Sequence, residues 1–182
     1  MIERFLASIF LIFLFPIFIL ISLGIYIFSG VPIIFKHRRC GYKYEEFYVI
    51  KFRTMHPNNG PELTEYNDKR ITIFGKILRK LKLDELPQLI NIIKGEMVFI
   101  GPRPESIDIV NSHKEYFTYL NNIKPGITDI NSIIFKDESE IFKTMDTKKY
   151  VEEILPIKYR LALFTSDNQT IFQKIILFLL SI

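Results

Sequence analysis

The chain has 182 residues, 48% of them hydrophobic and 24% charged, with a formal net charge of +4 at pH 7. That composition excludes intrinsic disorder and fibrous or low-complexity classes, and the length allows one ordinary domain rather than two. One cysteine, Cys40, rules out an intrachain disulfide and a cysteine-rich zinc site.

The apolar residues and the charges are kept apart. Between Phe5 and Phe35 there is no charged side chain, and a membrane helix needs only about 20 apolar residues. The run is too long for a signal peptide and lacks a basic start. Lys36, Arg38 and Arg39 follow it and orient that end toward the cytoplasm. Pro16 stands in the most apolar part and predicts a kink. From these residues alone, a kinked spanning helix and a re-entrant helix that returns to its own side are both open. Gly24, Gly30 and Pro32 break the helix before the charges begin.

From Lys36 to Arg103 there are 14 basic and 8 acidic residues; from Pro104 onward, 9 and 11. Positive charge therefore belongs to the middle of the chain, which suits anionic partners. Beside a membrane segment, lipid headgroups explain the basic, aromatic-rich stretch 36–53 more simply than nucleic acid does. Residues 31–55 read as a small hairpin, with Glu46–Phe52 alternating and Gly41 as punctuation. A loop over 56–67 comes next. Ile73, Ile77 and Leu81 then fall on one side of a helix that also carries Lys76, Arg79 and Lys80. Such a helix fits a membrane surface, or equally a solvated helix packed on a core.

The clearest helical pattern runs from Asp84 to Lys94, with Leu86, Leu89, Ile90 and Ile93 on one face and Gly95 to end it. A short apolar run, 98–100, leads into Gly101-Pro102-Arg103-Pro104, where two prolines hold Arg103 extended. Lys124-Pro125-Gly126-Ile127-Thr128 reads as a second turn. Residues 136–160 are expected to be helical, and the apolar end 171–182 is too short to span and suggests an interfacial or docked segment. His37, His56 and His113 have no metal-ligand spacing and are expected at the surface.

Asp84 and Glu85 are the chemically suggestive pair. Adjacent acids in a first helical turn are most often simple helix-end electrostatics. Here Arg79, Lys80 and Lys82 precede them and Arg103 follows. A carboxylate pair among cations suits magnesium and a diphosphate, because magnesium takes one or two carboxylates plus phosphate oxygens and arginine matches phosphate with paired donors.

Five segments occur in order: Lys51-Phe52-Arg53-Thr54-Met55, Leu83-Asp84-Glu85-Leu86-Pro87-Gln88-Leu89-Ile90-Asn91, Lys94-Gly95-Glu96-Met97, Gly101-Pro102-Arg103-Pro104, and Lys124-Pro125-Gly126-Ile127-Thr128. Together they resemble the bacterial sugar transferases, the monotopic phosphoglycosyl transferases, from the amino-terminal membrane segment to about Thr128. The resemblance implies an α+β, mainly helical protein: a re-entrant membrane helix over 1–35 kinked near Pro16, then a membrane-associated catalytic domain over 36–182 with interfacial amphipathic helices and a small β-hairpin. It further implies a magnesium-dependent transferase at the cytoplasmic face of the bacterial inner membrane. Asp84 would be the nucleophile toward a UDP-sugar, releasing UMP, and polyprenol phosphate would take the phosphosugar from it in the first membrane step of a surface glycan pathway. Asp84 and Glu85 would hold Mg2+, with Glu85 alternatively assisting proton loss from the lipid phosphate. Arg79 and Arg103 would clamp phosphates, and Lys51 and Arg53 are further substrate-binding candidates. Partners would be the two substrates and inner-membrane lipids, without nucleic acid and with homodimerisation left open. The chain is expected to represent the short, single-domain form.

Three positions depart from the family pattern. Phe15 stands where a serine usually precedes the proline, Asp129 replaces a usual glycine, and Cys40 is expected to be a small packed residue. Two other functions stay open on the sequence: an inactive membrane-anchored scaffold of the same family, and a diphosphate hydrolase in which water replaces the lipid.

Overall fold

A computed structural model describes residues 1–56, 68–135 and 149–167. The loop expected over 56–67 falls outside the described residues but for His56, as do residues 136–148 of the helix expected over 136–160 and the apolar end 171–182. The protein is mainly helical, with a small two-stranded hairpin, as the sequence implies. Its contacts divide it into two compact units. One comprises residues 1–37, 48–62 and 67–95; the other comprises 38–47, 63–66 and 96–182. This division follows packing, whereas a boundary at 35/36 concerns environment.

In the first unit, α1 (Ile2–Phe13) and α2 (Phe15–Ser29) meet at Leu14 with a bend of 62°. Pro16 falls in the first turn of α2, where its missing N–H would have bonded to Ile12 had the helix run straight. The Leu14 N–H donates to Phe10 O at 2.8 Å, and Leu14 O accepts from Phe18 N at 3.0 Å, so the backbone stays bonded across the bend. No single described helix is long and apolar enough to cross a membrane, whereas the bent pair together has that length and composition.

Both helices rest on the remainder of their unit along narrow stripes. Only Ala7 of α1 is fully buried, and α1 lies along α4 (Gln88–Lys94). Ile21 and Ile25 of α2 form a core with Phe52 and Leu78. Phe18 packs on Phe52 at 5.3 Å between ring centroids, and Phe28 stacks on Phe74 at 5.7 Å. Gly24 makes the second contact feasible, because a Cβ there would lie 2.5 Å from the Phe74 ring. The other faces, among them Phe13, Leu20 and Ile27, are exposed.

The strands β1 (Ile34–Cys40) and β2 (Glu46–Phe52) form the expected hairpin, longer than the apolar pattern indicates. Its turn, Tyr42–Tyr44, holds Lys43 and Tyr44 in the left-handed region. Next comes α3 (Ile73–Lys80), capped by the Thr72 hydroxyl, which accepts from Gly75 N at 2.9 Å.

One helix boundary differs from expectation. The helix expected from Asp84 begins only at Gln88, and Leu83–Glu85 is a separate 3-10 turn. Proline explains the difference. In a helix starting at Asp84, Pro87 would sit where an N–H is required; at the cap of α4 it needs none.

The second unit has its own core of Cys40, Val110, Phe117, Tyr119, Leu120, Leu155 and Ala162. Around it lie α5 (Ile107–Ser112), the 3-10 helix Lys114–Asn121, and α7 (Leu155–Asp167), which follows a π-helical stretch, Tyr150–Ile154. The expected turn at Gly126 is instead a short strand, β4 (Gly126–Thr128). It pairs in parallel with β3 (Val98–Ile100), in the register Val98↔Gly126 and Ile100↔Thr128. Gly101 N donates to Thr128 O and Gly126 N to Pro102 O, each at 3.0 Å. A side chain on Gly126 would strike the Gly101 backbone, so two glycines are the condition for this approach. Asp129 caps the short helix α6 (Ile130–Ile134), its Oδ1 accepting from Ser132 N at 2.8 Å and Ser132 Oγ at 2.7 Å.

Candidate active site

The acidic pair sits on a tight turn whose geometry follows from its neighbours. After α3 the chain reverses through Lys82, a non-glycine residue at φ 54° and ψ 19°. That conformation costs on the order of 1 kcal/mol or more and persists where surrounding structure imposes it, often beside a functional group. Glu85 N then donates to Lys82 O, and Leu86 N to Leu83 O, each at 3.3 Å. Asp84 is held buried, at 9% exposure.

Glu85 is paired. Its Oε1 accepts from Lys51 Nζ at 2.7 Å, with both side chains largely shielded from solvent. Lys51 comes from β2, so the hairpin supplies the cation and the turn after α3 the acids. Two hydrogen bonds, one buried and one partly so, secure that meeting. Asn91 of α4, fully buried, donates through Nδ2 to Tyr48 O at 2.7 Å and accepts through Oδ1 from Ile50 N at 3.0 Å. Its amide thus meets the backbone of β2 as another strand would. The sequence pattern had placed Asn91 inside a motif without a role.

Arg79 projects from the last turn of α3. Its Nε donates to Thr54 Oγ1 at 2.9 Å, and among the described residues no hydrogen bond takes its terminal nitrogens. Burial lowers its pKa from the ordinary arginine value. Asp84, Asp68 and Glu85 oppose that shift, and Arg70 adds to it. A desolvated guanidinium therefore lies in the field of the two candidate acids. Asp68 and Arg70 were not recognised in the sequence. They form a two-oxygen ion pair, Asp68 Oδ1 accepting from Arg70 Nε at 2.9 Å and Oδ2 from Arg70 Nη2 at 2.6 Å.

The structure gives Arg53 another occupation than substrate contact. It is 6% exposed, and its guanidinium donates to three carbonyls at the end of α2: Val31 O at 3.0 Å, Gly30 O at 2.7 Å, and Ser29 O. Arg103 lies in the second unit, exposed between its two prolines. In the first unit the candidates Lys51, Arg79, Asp84 and Glu85 come together.

For a divalent cation, Asp84 and Glu85 are hard oxygen donors of the type magnesium accepts. Among the described residues there is no group of three or more His, Cys, Asp or Glu that could hold a metal. Two carboxylates fit magnesium when substrate phosphates and water complete its shell. Burial, with a contribution from Glu46, pushes the Cys40 thiol above its usual range, which suits a packed residue and not a nucleophile.

A family model described as bacterial sugar transferase matches residues 1–174. Among curated proteins, the chain is 38% identical over 154 residues to a UDP-glucose:undecaprenyl-phosphate glucose-1-phosphate transferase of Xanthomonas campestris pv. campestris, covering 79% of this chain and 31% of that one. It is 35% identical over 142 residues to the exopolysaccharide production protein ExoY of Rhizobium meliloti, covering 68% and 63%. With a UDP-N-acetylgalactosamine-undecaprenyl-phosphate N-acetylgalactosaminephosphotransferase of Aeromonas hydrophila it shares 36% identity over 119 residues, covering 62% and 28%. The chain thus spans less than two thirds of the length of each of these relatives.

Proposed function

The chain belongs to the bacterial sugar transferase family, and from that premise we propose that it moves a phosphosugar from a UDP-sugar to polyprenol phosphate at the cytoplasmic face of the bacterial inner membrane. The observation that carries this reading is the buried Asp84 carboxylate beside the Glu85–Lys51 pair and the field of a desolvated Arg79. The relatives whose names specify undecaprenyl-phosphate support the acceptor class.

An Asp84 oxygen attacks the β-phosphorus of the donor. The bond from that phosphorus to the bridging oxygen breaks, and UMP leaves with the electron pair. A phosphate oxygen of the lipid then attacks the same phosphorus, and Asp84 departs as a carboxylate. Arg79 holds donor phosphate oxygens through its terminal nitrogens, and the family resemblance alone offers Arg103 as a further phosphate-binding candidate. Lys51 orients Glu85 through their ion pair. Asp84 and Glu85 would hold magnesium, which would supply positive charge against the diphosphate that otherwise repels a carboxylate nucleophile.

In this reading the bent pair α1–α2 dips into the cytoplasmic leaflet and returns. Its 62° bend and outward-facing apolar side chains support that topology. So do the cations Lys36, Arg38 and Arg39 just beyond it. Asp129, a departure from the family pattern that would favour the scaffold alternative, serves instead as a helix cap.

The test is incubation of detergent-solubilised protein with UDP-sugars, magnesium and polyprenol phosphate, following UMP. Release that depends on Asp84, with a phosphosugar adduct absent from Asp84→Asn, is the expected outcome. No UMP from any UDP-sugar favours the scaffold, and UMP release without adduct or lipid favours hydrolysis.

A further inference from the structure

The end of β2 and the two residues after it make contacts, most of which the proposed chemistry does not use. Lys51 reaches Glu85 at 2.7 Å. Phe52, 2% exposed, packs among Ile21, Ile25 and Leu78. Arg53 N donates to Ile33 O at 2.8 Å, while its side chain takes the carbonyls of Ser29, Gly30 and Val31. Thr54 accepts from Arg79 Nε at 2.9 Å, and its carbonyl accepts from Thr72 N at 3.0 Å. Four consecutive residues thus join the apolar helix pair to the groups around Asp84.

Arg53 is the residue in this run whose burial most needs a reason. Burying a guanidinium is costly unless its donors are used. Here two terminal nitrogens serve three carbonyls, and Nε is buried without a partner. Those carbonyls end an apolar helix, where the last C=O groups lack intrahelical donors and the dipole is negative. In a lipid-facing setting each such group costs several kcal/mol if left bare. A cation with forked donors is well matched to that helix end, and water would have met the same need had the end been wet.

We infer that Arg53 is a positioning residue that fixes the level at which α2 ends relative to the Asp84–Glu85 turn, and thereby places the lipid acceptor for the second transfer step. The inference rests on the proposed transferase reading and deepens it. Lys51 and Arg53 are two residues apart, roughly 7 Å along a strand, so the helix end and the carboxylate turn are tied to one short rigid segment. The soluble donor is held by other groups, Arg79 foremost. An acceptor whose phosphate lies at the membrane surface has its height set by the apolar helices. Loosening Arg53 therefore acts on one half of the reaction.

The experiment compares the full chain with Arg53→Lys and Arg53→Gln under single turnover, in one detergent. UDP-sugar and magnesium are added first, following UMP and the phosphosugar adduct. Polyprenol phosphate is added second, following its consumption of the adduct. Adduct formation is expected within about twofold of the parent in both variants, with lipid transfer slowed about tenfold or more in Arg53→Gln and less in Arg53→Lys, as displacements of an ångström readily cost that much. Normal adduct formation also reports an intact Asp84 pocket, so misfolding does not mimic the result. Parallel loss of both stages in Arg53→Lys overturns the inference, and so does lipid transfer at the parent rate in Arg53→Gln. A parent chain that releases no UMP defeats the transferase reading itself, and is told apart because it precedes any comparison of variants.

Discussion

Lys51 Nζ lies 2.7 Å from Glu85 Oε1, joining the penultimate residue of β2 to the turn that carries Asp84. Both side chains are less than a quarter exposed, so the pair is partly desolvated and neither charge is easily left alone. Lys51→Met takes this partner from the Glu85 carboxylate, and breaking a fully buried pair costs about 3–5 kcal/mol; partial exposure reduces that to about 1–2 kcal/mol here. The metal assignment predicts a further effect. With its competitor gone, Glu85 binds magnesium more readily, so half-activation moves to lower magnesium even as turnover falls. Glu85→Gln moves it to higher magnesium. A magnesium titration of the two variants checks this, and unchanged midpoints in both would remove Glu85 from the metal shell.

Arg79 carries a charge that the folded state disfavours, since burial lowers its pKa while Asp84 only partly opposes the shift. The sign matters. A cation with a depressed folded pKa destabilises the fold wherever it is protonated in both states, and for arginine that is the whole working pH range. Arg79→Met is therefore expected to leave the unliganded protein as stable as the parent or more so. In its proposed role the same change removes a charge-assisted phosphate contact worth about 1.5–3 kcal/mol, raising the KM for UDP-sugar about 10- to 100-fold. Thermal unfolding with and without UDP-sugar separates the effects: the variant keeps its melting temperature and loses the ligand-induced rise. A variant that melts much lower without ligand contradicts the assignment.

What could be read from the chain and what could not divide by the range of the interaction. The bend near Pro16, the hairpin and the exposed apolar side of α3 follow from local spacing, because each depends on residues within a few positions. The bonds of Asn91 to Tyr48 and Ile50 cross more than 40 residues, and those of Arg53 to the end of α2 cross more than 20. No periodicity signals either, and the resemblance offered Arg53 only as a cation. The parallel pairing of β3 with β4 was also hidden, since three-residue strands carry no alternation to recognise. Asp129 was legible in principle. An aspartate directly before Ile-Asn-Ser-Ile-Ile is a helix cap by composition, but a five-residue helix carries too little periodicity to reveal itself.

Asn91 makes a prediction in which a conservative change does more harm than truncation. Asn91→Ala bares the buried Ile50 N and the partly buried Tyr48 O, a loss of about 1–3 kcal/mol that comes chiefly from Ile50 N. Asn91→Asp keeps the acceptor for Ile50 but loses the donor to Tyr48, and it sets a carboxylate where no solvent reaches. A buried unpaired charge costs more than a missing amide. The aspartate variant should melt below the alanine variant at pH 7 and recover toward it as the pH falls and the carboxyl takes a proton. Melting curves at pH 7 and pH 5 give the comparison, and the opposite order would mean that the amide is not what holds β2.

Helix α3 offers the most direct test of the proposed membrane surface. Leu78 is buried against α2, while Ile73, Ile77 and Leu81 are 85%, 50% and 58% exposed. An apolar stripe facing outward beside Lys76 and Lys80 is the pattern of a helix lying in the headgroup region, where its side chains replace water contact with acyl chains. The chain contains no tryptophan, so one introduced tryptophan reports its own environment. In vesicles of mixed neutral and anionic lipid, Ile77→Trp should emit at shorter wavelength than in detergent-free buffer and be quenched by brominated acyl chains. Lys76→Trp, about 100° further round the helix, should be quenched less. Equal quenching at the two positions, or none at Ile77→Trp, would place this stripe away from the bilayer. It would then need another covering, because three large aliphatic side chains on one exposed face are a lasting liability in water.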